Sequence, residues 1–484
     1  PDWQEKPKRP EPWINRRPYG ETVNLASRDY WFKIFGMLNQ LWALIEPCRQ
    51  DSGVTLYKID DNSGIVDTHW FTDEGLARVY LLQHGWQRYE AAPDAWSFLV
   101  PPGGIFHFSP QAAQTLRYRA APRATAKSLA LDGTLPIRWH ARLETEPEIH
   151  IETDVAARIE GMMLGLAIGD ALGNTSESLL PADRRARYGH ITDYLPNRHA
   201  GGARIGLPSD DTQLAFWSLE HLVKAGHLDP AGLAEAFSRR KIFGLGQSVR
   251  TFLRSYKAGT DWLHAGAPSA GNGALMRIAP ILIPHLEDSS SALWADTLLA
   301  AHITHRDALS NVSCVAFSDV HWELIGMNTP PAPAWWIEHF ADVCADIEPD
   351  IPYTPRASHP AGFSGTLSQL LREYVLPALE QNLAVEDACS IWHSGAYLLE
   401  TVPSVLYILA RHGHDPEAAI LAAVNDTKDN DTVAAIVGAA VGALHGRAGL
   451  PSRWIEGLSG RTGEDDDGRI FNLLDDATER FSYG

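Results

Sequence analysis

Cysteine is scarce in this chain. Four in 484 residues (Cys48, Cys314, Cys344 and Cys389) stand far apart and form no Cys-x-x-Cys pair. That excludes a disulfide framework and a thiolate zinc site as organising devices, and it sets a reducing, cytoplasmic compartment as the expectation. Long apolar runs are missing too. The longest, Val433–Leu444, is shorter than the ~18 residues a membrane-spanning helix needs, so no membrane partner is expected. The first six residues, Pro1-Asp2-Trp3-Gln4-Glu5-Lys6, lack the apolar centre of a secretory signal. Positive charge is also short: 41 Lys and Arg face 60 Asp and Glu, for a net charge of −19. The deficit is uneven. Residues 1–150 hold 17 basic and 18 acidic side chains, and the remainder holds 24 and 42. Nucleic-acid binding needs a basic face, so the charge argues against that class of partner. An acidic second part suits a site that gathers carboxylates around cations.

What is present fits a soluble globular protein of two domains. Hydrophobic residues make up 45% and charged residues 21%. Residues 1–20 form a Pro-rich, charged arm. Tyr30–Ile45 has helical apolar spacing. Val54–Lys58 and Ile65–Trp70 read as strands joined by the turn cluster Asp60-Asp61-Asn62-Ser63-Gly64. Asp73–His84 reads as a helix, and Trp96–Val100 with Ile105–Phe108 as a second hairpin. Ile137–Leu143 is strand-like and Glu144–Thr153 reads as a linker. The expectation is a small α+β module over residues 1–150 and a mainly α, all-helical domain over 151–484.

In that second part Gly161, Gly165, Gly169 and Gly173 recur every four residues, as do Gly438, Gly442 and Gly446. A glycine in a helix interior costs about 1 kcal/mol relative to alanine. Repeated stripes therefore predict two helices whose backbones approach closely, holding the motifs beside them together. Those motifs are acidic. Ser209-Asp210-Asp211-Thr212 and Asp429-Asn430-Asp431-Thr432 each precede an apolar helical pattern. One explanation is capping, since Ser, Thr and Asp satisfy free N–H groups at helix starts. A cap needs one such side chain, however, and each motif offers four polar residues in a row. Hard divalent cations take oxygen ligands of this kind.

Five segments in order extend the pattern: Gly169-Asp170-Ala171-Leu172-Gly173 with Glu177 four residues on, Ser209 to Thr212, Gly271-Asn272-Gly273-Ala274-Leu275-Met276-Arg277, Ala301-His302-Ile303-Thr304-His305, and Asp429 to Thr432. From about Val155 onward the chain resembles the ADP-ribosylglycohydrolase family, including the dinitrogenase reductase-activating glycohydrolases. The resemblance implies a metal-dependent hydrolase acting on an ADP-ribosylated protein, with arginine the expected acceptor. It implies two divalent ions, Mg²⁺ or Mn²⁺, held by Ser209, Asp210, Asp211, Asp429, Asp431 and Thr432. Asp210, Asp211 and Glu177 are then the catalytic candidates, one aspartate serving as base towards water and Glu177 lying near the metals at the entry. On position alone Glu177 could equally be a solvated loop carboxylate.

Gly271, Asn272 and Gly273 could cradle a diphosphate with backbone N–H groups, though alone they would read as a plain turn. His305 is expected to hydrogen-bond the substrate, and Asp170 and His302 to be structural. The chain departs from the family where Thr427-Lys428 replaces the two glycines that often precede Asp-x-Asp. A second reading makes the chain a binding protein that blocks an ADP-ribosyltransferase toxin through its N-terminal module. A third is hydrolysis of O-linked or small-molecule ADP-ribosyl substrates.

Overall fold

The two glycine stripes pack face to face. The helices Val155–Gly173 and Asn430–His445 run through the core of the larger unit. A Cβ placed on Gly165 would lie 2.1 Å from the Gly438 carbonyl oxygen, and one on Gly438 would lie 2.1 Å from that of Gly165. Gly169 meets the Ala434 carbonyl at 2.0 Å in the same way. At the end of the stripe a Cβ on Gly173 would come within 2.4 Å of the Asp431 Cα. No side chain fits in such gaps, so the stripe brings the end of the first helix directly against the second acidic motif.

The computed structural model describes residues 22–35, 39–48, 53–60, 62–71, 73–83, 85–89, 99–103, 105–108, 125–148, 153–286, 290–356, 360–464 and 468–481. Contacts divide the chain into two units, Pro1–Ala124 and Thr125–Tyr483. Residues 125–148, placed with the N-terminal module on sequence grounds, pack instead with the helical unit. Leu135, Ile137 and Leu143 join its core. Arg138 N–H donates to the Ile347 carbonyl at 2.8 Å, and the indoles of Trp294 and Trp322 donate to the carbonyls of Thr145 and Glu148. The strand expected at Ile137–Leu143 is a 3₁₀ turn, Ala141–Glu144.

Among the described residues, the N-terminal unit is a seven-stranded sheet with one helix, Glu74–Gln83. Its strands are β1 (Thr22–Val23), β2 (Trp31–Phe35), β3 (Asn39–Pro47), β4 (Val54–Ile59), β5 (Gly64–Phe71), β6 (Gln87–Arg88) and β7 (Phe106–Phe108), in the order β1-β7-β5-β4-β3-β2-β6. The strands expected on either side of the Asp60–Gly64 turn are present as β4 and β5. The helix expected over Tyr30–Ile45 is absent. That stretch is the antiparallel pair β2–β3, with Trp31 opposite Ala43. Trp31, Phe32, Trp42, Ala43 and Leu44 are all buried. Strands covered on both faces carry apolar residues at every spacing, so periodicity could not separate strand from helix. The expected hairpin partner of Phe106–Phe108 lies partly outside the described residues; β7 pairs antiparallel with β1 and parallel with β5.

The larger unit is helical, as expected. Its described residues form isolated bridges but no sheet. The stretch Ala384–Leu399 is not one continuous helix. Val385–Trp392 ends at His393 (φ 76°) and Ser394 (φ 43°), and a new helix, Leu398–His412, follows. No helix among the described residues is long and apolar enough to cross a membrane.

Candidate metal centre

Both acidic motifs stand at helix starts, Asp210–Ala225 and Asn430–His445, but neither leading residue caps its helix through its side chain. At the first helix Asp170 does that work from a neighbouring helix. Its carboxylate accepts from Ser209 N (2.8 Å), Ser209 Oγ (2.6 Å), Thr212 N (3.1 Å), Thr212 Oγ1 (2.5 Å) and Asn174 Nδ2 (3.0 Å). Asp170 is therefore structural, as expected, and Asp210 and Asp211 are released from capping. The same contact orients Ser209. A hydroxyl that ligates a cation must turn its proton away, and Asp170 accepts that proton.

At the second helix, Asp429 accepts a 2.6 Å hydrogen bond from Asn272 Nδ2, which also donates to Thr401 Oγ1 at 3.0 Å. Thr432 N–H donates to Asp431 Oδ1 at 2.9 Å, and the Thr432 side chain is buried. Carboxylate oxygens of Glu177, Asp429 and Asp431 all lie within 4.8 Å of one another. Glu177 thus faces the aspartates. Asp210 and Asp211 lie outside this compact trio, although their charges act on it and on each other.

The electrostatics follow from burial. Desolvation pushes Asp211 well above the usual carboxylate range, with repulsion from Asp170, Asp431, Asp210 and Asp429 adding to it. Asp210 is raised by burial and then by Asp170. Asp431 is raised by burial and then by Asp429 and Glu177. Asp429 is raised by burial, against the pull of Asn272 and Lys428. Glu177 is raised by desolvation of its carboxyl tip, then by Asp429 and Asp170. Its side chain is exposed as a whole, so the repulsion is the part that persists when water reaches the tip. The Asp211 Oδ1 atom is buried and has no hydrogen-bond partner. Buried carboxylates in excess, one with an orphaned oxygen, are the donor set a hard cation completes. The residues present fit a divalent metal.

A cavity of about 430 Å³ opens beside Glu177 and Asp429. Its other walls carry Arg356, Lys428, His393 and Glu400. Lys428 Nζ lies 2.8 Å from His393 Nε2, and the Arg356 guanidinium sits 4.6 Å from the centre of the Tyr397 ring. The helix break at His393–Ser394 forms part of this wall, and Asp429 N–H donates to the Ser394 carbonyl at 3.0 Å.

Gly271, Asn272 and Gly273 are brought to the site, but the expected N–H cradle is reduced. Gly271 N–H donates to Ser269 Oγ at 3.2 Å and Asn272 N–H to the Ala396 carbonyl at 3.1 Å. The glycine at 273 is explained by His305, whose Cε1 would lie 2.9 Å from a Cβ there. His305 is 1% exposed, and its Nδ1 lies 2.9 Å from Thr304 Oγ1. Burial, then Arg277, pushes its pKa down to about 3, which favours the neutral imidazole. Sequence reasoning missed Asn272 as the holder of Asp429, and it missed Arg356, His393 and Glu400. The lone signal was the place of Asn272 within a family motif.

Carboxylates collected at a polar cavity of a helical unit are the setting of a cation-assisted hydrolase. Residues 151–482 match the ADP-ribosylglycohydrolase family, and the chain belongs to it; the family uses divalent metals. The chain is 29% identical to the ADP-ribosylarginine hydrolase Tri1 of Pseudomonas putida (strain GB-1), over 72% of this chain and 86% of that protein. It is 26% identical to the ADP-ribosyl-[dinitrogen reductase] glycohydrolase of Rhodospirillum rubrum, over 65% and 92%. A solved structure described as an ADP-ribosylglycohydrolase-related protein complex aligns over 68% of this chain and 99% of that one, with 25% identity and a TM-score of 0.47.

Proposed function

We propose that the protein is a divalent-metal-dependent hydrolase that removes ADP-ribose from modified arginine side chains. The observation that carries this reading is the orphaned Asp211 oxygen among buried carboxylates beside a cavity that is acidic on one wall and cationic on another. Ser209, Asp210, Asp211, Asp429, Asp431 and Thr432, with Glu177, are the residues to hold Mg²⁺ or Mn²⁺. When bound, such a pair of ions orients ribose hydroxyls and makes a water more acidic. Asp210 or Asp211, ionised in that state, accepts the proton of the attacking water. Oxygen bonds to the anomeric carbon as the carbon–nitrogen bond breaks, and its electron pair and a proton end on the departing guanidine. Arg356 and Lys428 supply positive charge for the diphosphate. Asn272 holds Asp429 in place. The acceptor assignment is supported by two relatives whose names specify arginine or dinitrogen reductase.

The sheet unit lies outside the matched residues, and its proposed role is contact with a transferase toxin whose modification the helical unit reverses. The test is release of ADP-ribose from an arginine-modified protein with Mn²⁺ and then with EDTA, beside a serine-linked substrate, for the full chain and for a chain starting at Thr125. Metal-dependent loss of the arginine linkage by both chains is expected, with transferase binding confined to the full chain. A folded, metal-loaded protein that turns over neither substrate would overturn the hydrolase reading.

A further inference from the structure

Glu177 is held to the aspartates by a buried hydrogen-bonded knot that reaches beyond the acidic motifs. Its centre is Arg184, on the helix Pro181–Tyr188 and 0% exposed. Four of its five N–H groups are used. Nε donates to Ser176 Oγ at 3.1 Å and Nη2 to the Leu179 carbonyl at 2.9 Å. These contacts bracket Glu177, one on the residue before it and one two residues after. Nη1 donates to the carbonyls of Thr427 at 2.7 Å and Asn425 at 3.2 Å, which hold the chain leading into Asp429. One guanidinium fork therefore ties the Glu177 segment to a carbonyl 243 residues beyond Arg184 itself.

Asn430, between the two aspartates, completes the knot. It is 0% exposed, and its Nδ2 donates to Ser176 Oγ at 3.0 Å and to the carbonyls of Gly173 and Val424 at 3.1 Å each. Ser176 Oγ in turn donates to the Gly173 carbonyl at 3.2 Å. The segment needs such a hold. Ser178 has φ 71°, a left-handed conformation that a non-glycine residue keeps only when its surroundings fix it.

We propose that Arg184 is a positioning residue. By clamping Ser176 and Leu179 against Thr427 and Asn425, it sets the Glu177 carboxylate against Asp429 and Asp431, and through Glu177 it sets the affinity of the trio for a divalent cation. The inference rests on the metal reading above, but its readout does not pass through hydrolysis. Guanidinium is suited to the task because its planar donors diverge in fixed directions, and lysine keeps the charge without the fork. Residues behind a metal's ligands commonly change affinity by about 10–100-fold when altered.

The experiment is Mn²⁺ binding by calorimetry on the full chain, for the parent, R184Q, E177Q and the double variant, with melting temperatures alongside. R184Q is expected to weaken Mn²⁺ at least tenfold. In the E177Q background the same change should weaken it less than threefold, because the residue through which Arg184 acts is already disabled. R184K, which keeps the buried charge, serves if R184Q does not fold. Its expected loss is about fivefold or more in the parent and again less than threefold in E177Q. Equal losses in both backgrounds, or unchanged Mn²⁺ affinity with a lowered melting temperature, would show a merely structural residue and overturn the proposal. A parent chain that binds no Mn²⁺ overturns it together with the metal reading. A chain that binds Mn²⁺ with the expected coupling but cleaves nothing overturns only the hydrolase.

Discussion

Removing a ligand charge should stabilise the metal-free protein. Asp431 is 4% exposed, and its carboxylate lies within 4.8 Å of those of Asp429 and Glu177. At that separation and an effective dielectric of about 20, two unit negative charges repel by roughly 3.5 kcal/mol. The trio avoids part of this by holding protons, and Arg184 lends Asp431 some positive field. Asp431→Asn keeps the oxygen that accepts from Thr432 N–H and removes the charge. The expected gain without metal is about 1–3 kcal/mol at pH 7.5. For a unit of this size that is a rise of roughly 2–5 °C in Tm.

The sign with pH follows from linkage. A carboxyl whose folded pKa is raised holds its extra proton in the folded state, so its contribution is complete below the unfolded pKa of about 3.9 and is lost as pH climbs through the raised value. The advantage of Asp431→Asn should therefore shrink as pH falls from 7.5 towards 4. Saturating Mn²⁺ should reverse the order. At a thousandfold excess over Kd the parent gains about 4.1 kcal/mol, and the variant gains little. Scanning calorimetry in EDTA and in Mn²⁺ at several pH values reads all three effects. A variant less stable than the parent in EDTA at pH 7.5, with the same pH slope, would refute the reasoning.

Asn272→Ala removes the 2.6 Å hydrogen bond to Asp429 and should weaken Mn²⁺ by roughly 10–100-fold with little change in circular dichroism; unchanged affinity in a titration would count against its assigned task. Gly165→Ala puts a methyl group 2.1 Å from the Gly438 carbonyl oxygen. It should cost at least the upper end of the ~1–3 kcal/mol typical of overpacking, and a melting temperature equal to the parent's would contradict the close helix approach.

The parts of this molecule legible in sequence were those in which one residue type has one physical reason. The glycine stripes predicted two backbones in contact, and the contact is there. The turn cluster Asp60–Gly64 predicted the hairpin around it. The misreadings have physical causes too. Trp31–Pro47 is apolar on both faces, which erases the period that separates strand from helix. The break at His393–Ser394 carries no glycine or proline at its positive-φ residues, and its one local signal is the Ser394-Gly395 dipeptide that follows. That break is also where part of the cavity wall forms, through His393, Gly395 and Ala396. The donors around the site, Asn272 on the Asp429 carboxylate and Asn430 and Arg184 on Ser176 and nearby backbone carbonyls, have tasks that exist only after distant segments meet.

These observations connect the core to the site. Buried carboxylates repel, so the fold must hold them together by something stiffer than their own contacts. The glycine-lined helices supply that stiffness. Gly173 meets the Asp431 backbone at one end of the stripe, and on the same helix Asp170 gathers Ser209 and Thr212. Both acidic motifs are thereby referred to a single helix, Val155–Gly173. Glu177 is the exception. It lies beyond the end of that helix, on a segment with one left-handed serine, and depends on side-chain hydrogen bonds for its place. A helix that fixes four aspartates and a tethered loop that carries the glutamate separate what must be rigid from what can be tuned. Substitutions in the helix should therefore appear first as lost folding, and substitutions around Glu177 first as altered metal affinity.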